Sequence, residues 1–412
     1  MKVFKFGGAS VKDAEGVKNV AKVLASQGGG ACLLVVSAMG KTTNALEQVV
    51  AAYFNNGDYK TEIKTIKSNH IQIASDLFDA QHEIFEEIAL FFDDIEAFLR
   101  RNKSPNYSFV YDQVVSCGEL ISSKILSEYL NNQGFKNQWL DARDFIKTNH
   151  NYREGVVDWA LTEDHIKQLS QTECYVTQGF IGSDEHNFSV TLGREGSDYS
   201  AAIFAYALDA QVMTIWKDVP GVMTGDPRKF DKVELLSHIS YEEAIEMAYY
   251  GASVIHPKTL QPLKQKHIPF FVKSFLEPEQ AGTKIGNSEN NQKKESYILK
   301  ENQHLIHIST RDFSFIAEDH ISYIFNLLAE YKIKVSLMQN SAISLALCLE
   351  DKYGKLDDFN EALQAEFKTE LTKNVQLYTV RNAHMKNIEH FYEGKNILLE
   401  QLSRNTVQVV TF

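Results

Sequence analysis

Six consecutive apolar residues, "ACLLVV" at 31–36, constrain this chain more than any other feature. A half-buried strand alternates apolar and polar residues, whereas a run apolar on both faces belongs to a strand covered on both sides, as in a parallel sheet flanked by helices. Upstream, "KVFKF" at 2–6 is short and β-like and is broken by Gly7-Gly8. Between the two, "AEGVKNVAKVLASQ" has helical spacing, with Val17, Val20 and Leu24 on one face. Strand, helix, strand is the start of a βαβ series. Residues 61–102 read as two long amphipathic helices, and "KNQWLDA", "CYVTQGFIG" and "AQVMTIWKDV" as further buried strands. "SDYSAAIFAYALD" and "SYEEAIEMAYYG" supply helices between them. The amino-terminal part is therefore expected to be α/β, a mostly parallel sheet sandwiched by helices.

A chain of 412 residues exceeds one ordinary core, so two or three domains are expected. The character changes near Ile285, where "GNSENNQKKES" is polar and turn-forming. Beyond it the elements run β-α-β-β-α-β, the split ferredoxin-like order, in an α+β region. The boundaries drawn on this pattern are 1–284, a linker at 285–299, and 300–412. The last holds one complete unit at about 300–383 and part of a second at about 384–412, with a strand pair in "NILLEQL" and "TVQVVTF".

The net charge of −12 argues against nucleic acid as a partner, since that needs clustered Lys and Arg. The four cysteines form no C-x-x-C pair, which speaks against zinc and for reduced thiols in a cytoplasmic protein. "MKVFKFGGAS" lacks the apolar core of a signal peptide, and no stretch approaches the ~20 apolar residues of a membrane span.

Where would an anion bind? "SAMGKTT" at 37–43 contains the Gly-Lys-Thr that ends a P-loop, but a P-loop needs a glycine five residues before Gly40. Val35 stands there, inside the apolar strand. "KFGGAS" at 5–10 is a better cradle, because paired glycines let backbone amides approach phosphate and Lys5 can reach over as a point charge. A plain turn beside a surface lysine fits the same residues. In "TLGREGSDYSAA", Gly193 and Gly196 flank Arg194 and Glu195. Ser197 is placed to cap the following helix, and Asp198 fits its first turn. Arg194 offers a fork for a carboxylate or phosphate. "WKDVPGVMTGDPRKF" is a loop after a strand, where Lys217 and Arg228 could meet polyphosphate. It reads equally well as a solvated turn.

"KFGGAS", "VVSAMGKTTN", "VVSCGELISSKIL", "TQGFIGSDE", "TLGREGSDYSAA", "WKDVPGVMTGDPR" and "GASVIHPKTL" occur in this order over about the first 283 residues. Together they resemble the aspartate kinase family, within the amino-acid kinase fold, and the carboxyl-terminal part resembles its ACT regulatory region. The resemblance implies ATP-dependent phosphorylation of the L-aspartate side-chain carboxylate to 4-phospho-L-aspartate, on the way to lysine, threonine and methionine. It implies Lys5 and Asp198 as catalytic residues, and Ser37, Thr43, Glu119, Arg194 and Ser197 on the aspartate side. Gly7, Gly8, Ser10, Lys217, Asp218, Met223, Arg228 and Ser253 fall to the nucleotide. Magnesium would bridge ATP phosphates, with no dedicated protein ligands, and a homodimer or larger homo-oligomer would form through the ACT region.

Three positions depart from the family pattern. Glu195 replaces a glycine, Met223 an aromatic residue and Ser253 a basic one. In the ACT region the glycine turn and acidic residues of lysine-binding relatives are absent; Ser336, Ser341 and Ala342 stand at the latter positions. Lysine is therefore not expected to bind there in the usual way. Two alternatives remain open: a kinase of the same fold acting on glutamate, acetylglutamate or a nucleoside monophosphate, and a catalytically weak amino-acid sensor.

Overall fold

The computed structural model describes residues 1–252, 255–287, 294–312, 314–383 and 394–412. In chain order the first compact unit begins β1 (Lys2–Phe6), α1 (Ala14–Ser26), β2 (Cys32–Val36) and α2 (Thr42–Phe54). Three long helices follow: α3 (Tyr59–Ser75), α4 (Ile84–Arg101) and α5 (Tyr107–Asn132). Then come β3 (Gln138–Trp139), α6 (Ala142–Phe145), α7 (Trp159–Ile166), β4 (Cys174–Gln178), β5 (Ile181–Ser183) and β6 (Ser189–Thr191). Helix α8 (Gly196–Ala207), β7 (Val212–Lys217), β8 (His238–Ser240), α9 (Tyr241–Tyr250, of which the part to Ile245 belongs to this unit), α10 (Pro257–Gln265), β9 (Phe270–Ser274) and β10 (Thr283–Gly286) follow.

Eight of these strands form one sheet in the order β3-β4-β2-β1-β7-β9-β10-β8, parallel throughout except between β9 and β10. Strand β2 is buried along its whole length, as its unbroken apolar run requires. Helices α1 to α5 pack over the sheet through one apolar cluster that includes Val17, Leu34, Leu46, Phe92 and Ile125. Helix α4 shows why its sequence makes a covering helix: Ile84, Ile88, Phe92, Ile95 and Leu99 recur at three- and four-residue spacing and are buried.

"CYVTQGFIG", expected as one strand, is two. Phe180 has φ of 71°, and the chain leaves the large sheet there for a separate β5–β6 hairpin. The turn has a packing cause: a Cβ on Gly179 would lie 2.5 Å from that of Ser197 in α8. The backbone must pass too close to the helix to stay straight.

The second compact unit comprises Met223–Glu234, Glu246–Ser253 and Gln292–Phe412. It carries β11 (Ser296–Thr310), α11 (Glu318–Glu330), β12 (Lys334–Asn340), β13 (Ser344–Glu350), α12 (Leu356–Gln364) and β14 (Phe367–Arg381). Strands β15 (Ile397–Ser403) and β16 (Thr406–Thr411) follow. The sheet order β12-β13-β11-β14-β16-β15 contains the ferredoxin-like four-strand core and extends it through β14. The last strand pair, β15 and β16, therefore joins the same sheet as the ferredoxin-like strands. Gln401 of β15 donates to the carbonyl of Met338 in β12 at 3.2 Å, so the two outermost strands approach each other. Ordered strand also reaches into the expected 285–299 linker from both sides, β10 to Gly286 and β11 from Ser296.

No helix of the described residues is long and apolar enough to cross a membrane. All four cysteines are free thiols, with the sulfurs of Cys32 and Cys174 3.4 Å apart on neighbouring strands.

Leu34 is fully buried in β2, whereas Leu90 is 62% exposed on α4. Leu34→Ala is expected to lower the unfolding free energy by about 3 kcal/mol, and Leu90→Ala by less than about 0.5 kcal/mol, in a urea titration. Equal costs would place the core elsewhere.

Candidate active site

The carboxyl ends of β1, β2, β4 and β7 lie side by side, the position where open parallel sheets hold ligands. Lys5 is the fourth residue of β1 and pairs in register with Val35 and Ile215. It is buried, and a buried ammonium needs a counter-charge. Asp198, in the first turn of α8, supplies it: Lys5 Nζ lies 2.6 Å from Asp198 Oδ1. Lys217, the last residue of β7, stands 3.7 Å from the other oxygen, Asp198 Oδ2. Burial alone would push the Asp198 carboxyl up; the charges of Lys5 and then Lys217 outweigh it and hold Asp198 below the usual carboxylate range.

The paired glycines form a tight corner next to this ion pair. The Ser10 amide donates to the Gly7 carbonyl at 2.9 Å, opening a short 3-10 turn. A Cβ on Gly8 would lie 2.7 Å from the carbonyl oxygen of Ala38, so only glycine fits. Ser10 is buried, and its hydroxyl finds no hydrogen-bond partner among the described residues.

"SAMGKTT" joins this corner without being a P-loop. The Gly40 amide donates to the Gly8 carbonyl at 3.0 Å, and the Ser37 amide to Phe6 at 3.1 Å. Lys41 is exposed at the start of α2, and Val35 stays inside the strand. Ser37 and Thr43 are half-buried beside the turn.

Helix α5 brings in a second carboxyl. Its Gly118 lets the helix press against Ala38 and Thr42, where an added Cβ would find neighbours at 3.1 and 3.2 Å. Glu119 beside it is 2% exposed. It accepts from the Ala38 amide at 3.3 Å through Oε1, while its Oε2 is buried and has no hydrogen-bond partner among the described residues. Burial pushes its pKa up to about 8, against the pull of the Ala38 amide and the charge of Lys5.

One turn-and-loop arrangement that sequence spacing did not point to holds the Arg194 segment. Asp112, on the same face of α5 as Glu119 seven residues on, accepts from the Thr191 amide at 2.8 Å, the Thr191 hydroxyl at 2.8 Å and the Arg153 amide at 2.9 Å. Burial pushes its carboxyl up to about 6 despite these bonds. The chain then turns through Gly193 and exposes Arg194.

The expectation that Ser197 caps α8 is not met. The cap position is Glu195, in left-handed backbone at φ 53°, and no side chain caps the helix. The Glu195 carbonyl itself starts the helix by accepting from the Asp198 and Tyr199 amides at 3.0 and 3.2 Å. Ser197, one residue inside the helix, instead faces Gly179. Asp218 is exposed just after β7. Met223 and Arg228 belong to the second compact unit, where Arg228 grips Asp226 with two side-chain bonds at 2.9 and 2.8 Å. Ser253 lies outside the described residues. Lys5, Gly7, Gly8, Ser10, Ser37, Glu119, Asp198 and Lys217 are thus the residues gathered at the strand ends.

The chain matches the amino acid kinase family over residues 1–274. It is 34% identical over 357 residues to the lysine-sensitive aspartokinase 3 of Escherichia coli, covering 84% of this chain and 78% of that protein. It is 29% identical to a carrot bifunctional aspartokinase/homoserine dehydrogenase, of which it spans 42%. Its fold superposes on E. coli aspartokinase III in complex with aspartate and ADP with a TM-score of 0.85, at 28% identity, covering 100% of this chain and 96% of that one.

A carboxyl raised from 4.5 to about 8 keeps its proton in the folded chain across a range where the unfolded chain has lost it. Its contribution to stability is therefore full below about pH 4.5 and is lost as pH rises through about 8. The ligand-free chain is expected to lose melting temperature between about pH 5 and pH 8 relative to Glu119→Gln, which cannot titrate. Parallel melting profiles for the two proteins would remove Glu119 as the buried titrating group.

Proposed function

We infer the activity from a plain premise: the chain belongs to the amino acid kinase family and, within it, to the aspartokinases. It phosphorylates the side-chain carboxylate of L-aspartate with ATP, giving 4-phospho-L-aspartate and ADP. The observation that carries this reading is the buried Lys5–Asp198 pair beside the Gly7-Gly8 corner. The relative named above binds aspartate and ADP, the two molecules such a corner would serve.

A substrate carboxylate with a free pKa near ~4 is already ionised at neutral pH, so no general base is required. A carboxylate oxygen forms a bond to the γ-phosphorus, the bond from phosphorus to the β–γ bridging oxygen breaks, and ADP leaves with that electron pair. The obstacle is repulsion between two anions. Catalysis is then positioning and charge stabilisation. Lys5 neutralises the transferring group, and Asp198 holds its ammonium in place. The amides of Gly7 and Gly8 and the Ser10 hydroxyl cradle phosphate oxygens. Lys217 meets the nucleotide from the end of β7, with Asp218 next to it in the chain.

On the acceptor side, Glu119 pairs with the substrate ammonium and Arg194 with its α-carboxylate, helped by Ser37, Thr43 and Ser197. The unpartnered Oε2 of Glu119 supports that assignment, since an arriving ammonium would satisfy it. Magnesium would travel on the ATP phosphates and shield their charge. Among the described residues no group of three His, Cys, Asp or Glu side chains could hold it alone, while the orphaned buried Oε2 of Glu195 is an anionic atom suited to its neighbourhood. We assign regulation and self-association to the carboxyl-terminal region, 300–412, with 1–284 as the catalytic domain.

Trapping the acyl phosphate as a hydroxamate tests the reaction. Aspartate is expected to give product well above glutamate, and Lys5→Ala to lower kcat by about 10³-fold or more. Lys5→Arg, which keeps the charge, separates loss of catalysis from loss of fold. Comparable turnover in Lys5→Ala would reject the assignment. For the regulatory region, light scattering is expected to give at least a dimer, and calorimetric titration with lysine to give no micromolar binding. A monomer, or tight lysine binding, would contradict these two assignments respectively.

A further inference from the structure

Glu195 occupies a costly position. Its backbone is left-handed at φ 53° and ψ 29°, a region that side chains other than Asn, Asp and Gly enter rarely. Its side chain offers the helix no compensating cap bond. Its Oε2 is buried and has no hydrogen-bond partner among the described residues. A glutamate on a turn could reach water, yet this one turns inward. The charges that act on it are Asp198, which repels it, and Lys217, Arg194 and Lys5, which attract it. Backbone strain and an unpaired buried carboxyl in one residue at a ligand site point from the outlier to a role.

The chemistry of the site supplies that role. Lys5 and Lys217 are the cations that a phosphate chain would meet, and both already face Asp198. Glu195 adds a second carboxyl that the charges of the same cations attract. A nucleotide that enters without a divalent cation brings its full negative charge against this carboxyl. A nucleotide that enters with the cation brings two charges fewer, and gives the orphaned oxygen a positive neighbour. In a partly buried site one such charge is worth about tenfold in affinity.

We propose that Glu195 makes the phosphate end of this site discriminate against nucleotide that lacks its divalent cation. The proposal rests on the phosphoryl-transfer reading of the site. Burial raises the Glu195 carboxyl, as does Asp198, so uptake of a proton is the competing way to relieve the same repulsion.

Calorimetric titration of ADP into the full 412-residue chain, once with saturating magnesium and once with EDTA, gives the ratio of the two dissociation constants. In Glu195→Gln the side-chain volume is kept and the charge removed; in Glu195→Gly the backbone strain is removed as well. Both variants are expected to bind free ADP more tightly, and the ratio to fall by about tenfold. A ratio within twofold of wild type in Glu195→Gln overturns the proposal, even if Glu195→Gly binds more tightly, because that gain would belong to the backbone. Wild-type chain that binds both forms while the ratio stays fixed in the variants sinks this inference alone. Wild-type chain that binds neither form sinks the nucleotide reading and this inference with it.

Discussion

The site is organised around one contact, the 2.6 Å ion pair between Lys5 on the central strand β1 and Asp198 in the first turn of α8. A lysine ammonium at the centre of a sheet is unfavourable unless paired, and removing one partner of such a pair typically costs about 3–5 kcal/mol. The rest of the local architecture serves to bring that helix to that strand. Gly179 and Gly196 carry no side chain where α8 crosses the sheet ends; a Cβ on Gly196 would meet the Phe180 ring at 2.7 Å. Ser200 fastens the crossing by accepting from the Phe180 amide at 2.9 Å and donating to the Gly196 carbonyl at 3.0 Å. The helix N-terminus favours the carboxylate as well. The ion pair, the close crossing and the break between β4 and β5 are therefore one feature seen at three places.

Charge in the site is prepared in unequal states. Asp198 is held ionised by two lysines, whereas Glu119, with one amide and a more distant cation, is held protonated by burial. The difference suits their assigned tasks. Asp198 must keep Lys5 charged and fixed at all times. Glu119 is asked for charge only when an ammonium arrives, and its proton then leaves because the ammonium lowers its pKa. A site that kept both carboxylates ionised without ligand would have to bury an uncompensated charge in the free protein.

Much of this was legible in the residues. The unbroken apolar run at 31–36 fixes a doubly covered strand, and the glycine pair after a β-like segment marks where backbone can meet an anion. Lys5 and Lys217 follow, because both stand at or next to the carboxyl ends of strands that lie beside β2 or β1. Three things were not legible. Ser197 has the composition of a helix cap, but the left-handed Glu195 moves the helix start forward, and residue type does not encode that φ. Strands β11 and β14 run to fifteen residues each, yet register shifts between Lys300 and Leu305 break the alternation by which their first halves would be recognised. Asp112 gives no local signal, since its partners lie 41 and 79 residues away.

Asp112 ties α5 to two distant loop segments. One oxygen takes two amides and the other a hydroxyl, so the carboxyl is nearly saturated by the Arg153 and Thr191 segments that flank the Gly193 turn. That ties the loop bearing Arg194 to the same helix face that carries Glu119. The two groups assigned to the α-carboxylate and the ammonium, which share one carbon of the substrate, are therefore both tied to one helix, whose anchoring residues Asp112 and Glu119 stand about two turns, about 10 Å of rise, apart. A burial cost large enough to raise the Asp112 carboxyl to about 6 is offset by three hydrogen bonds, and the return is geometric: the segment that leads to Arg194 is fixed to the helix that carries Glu119.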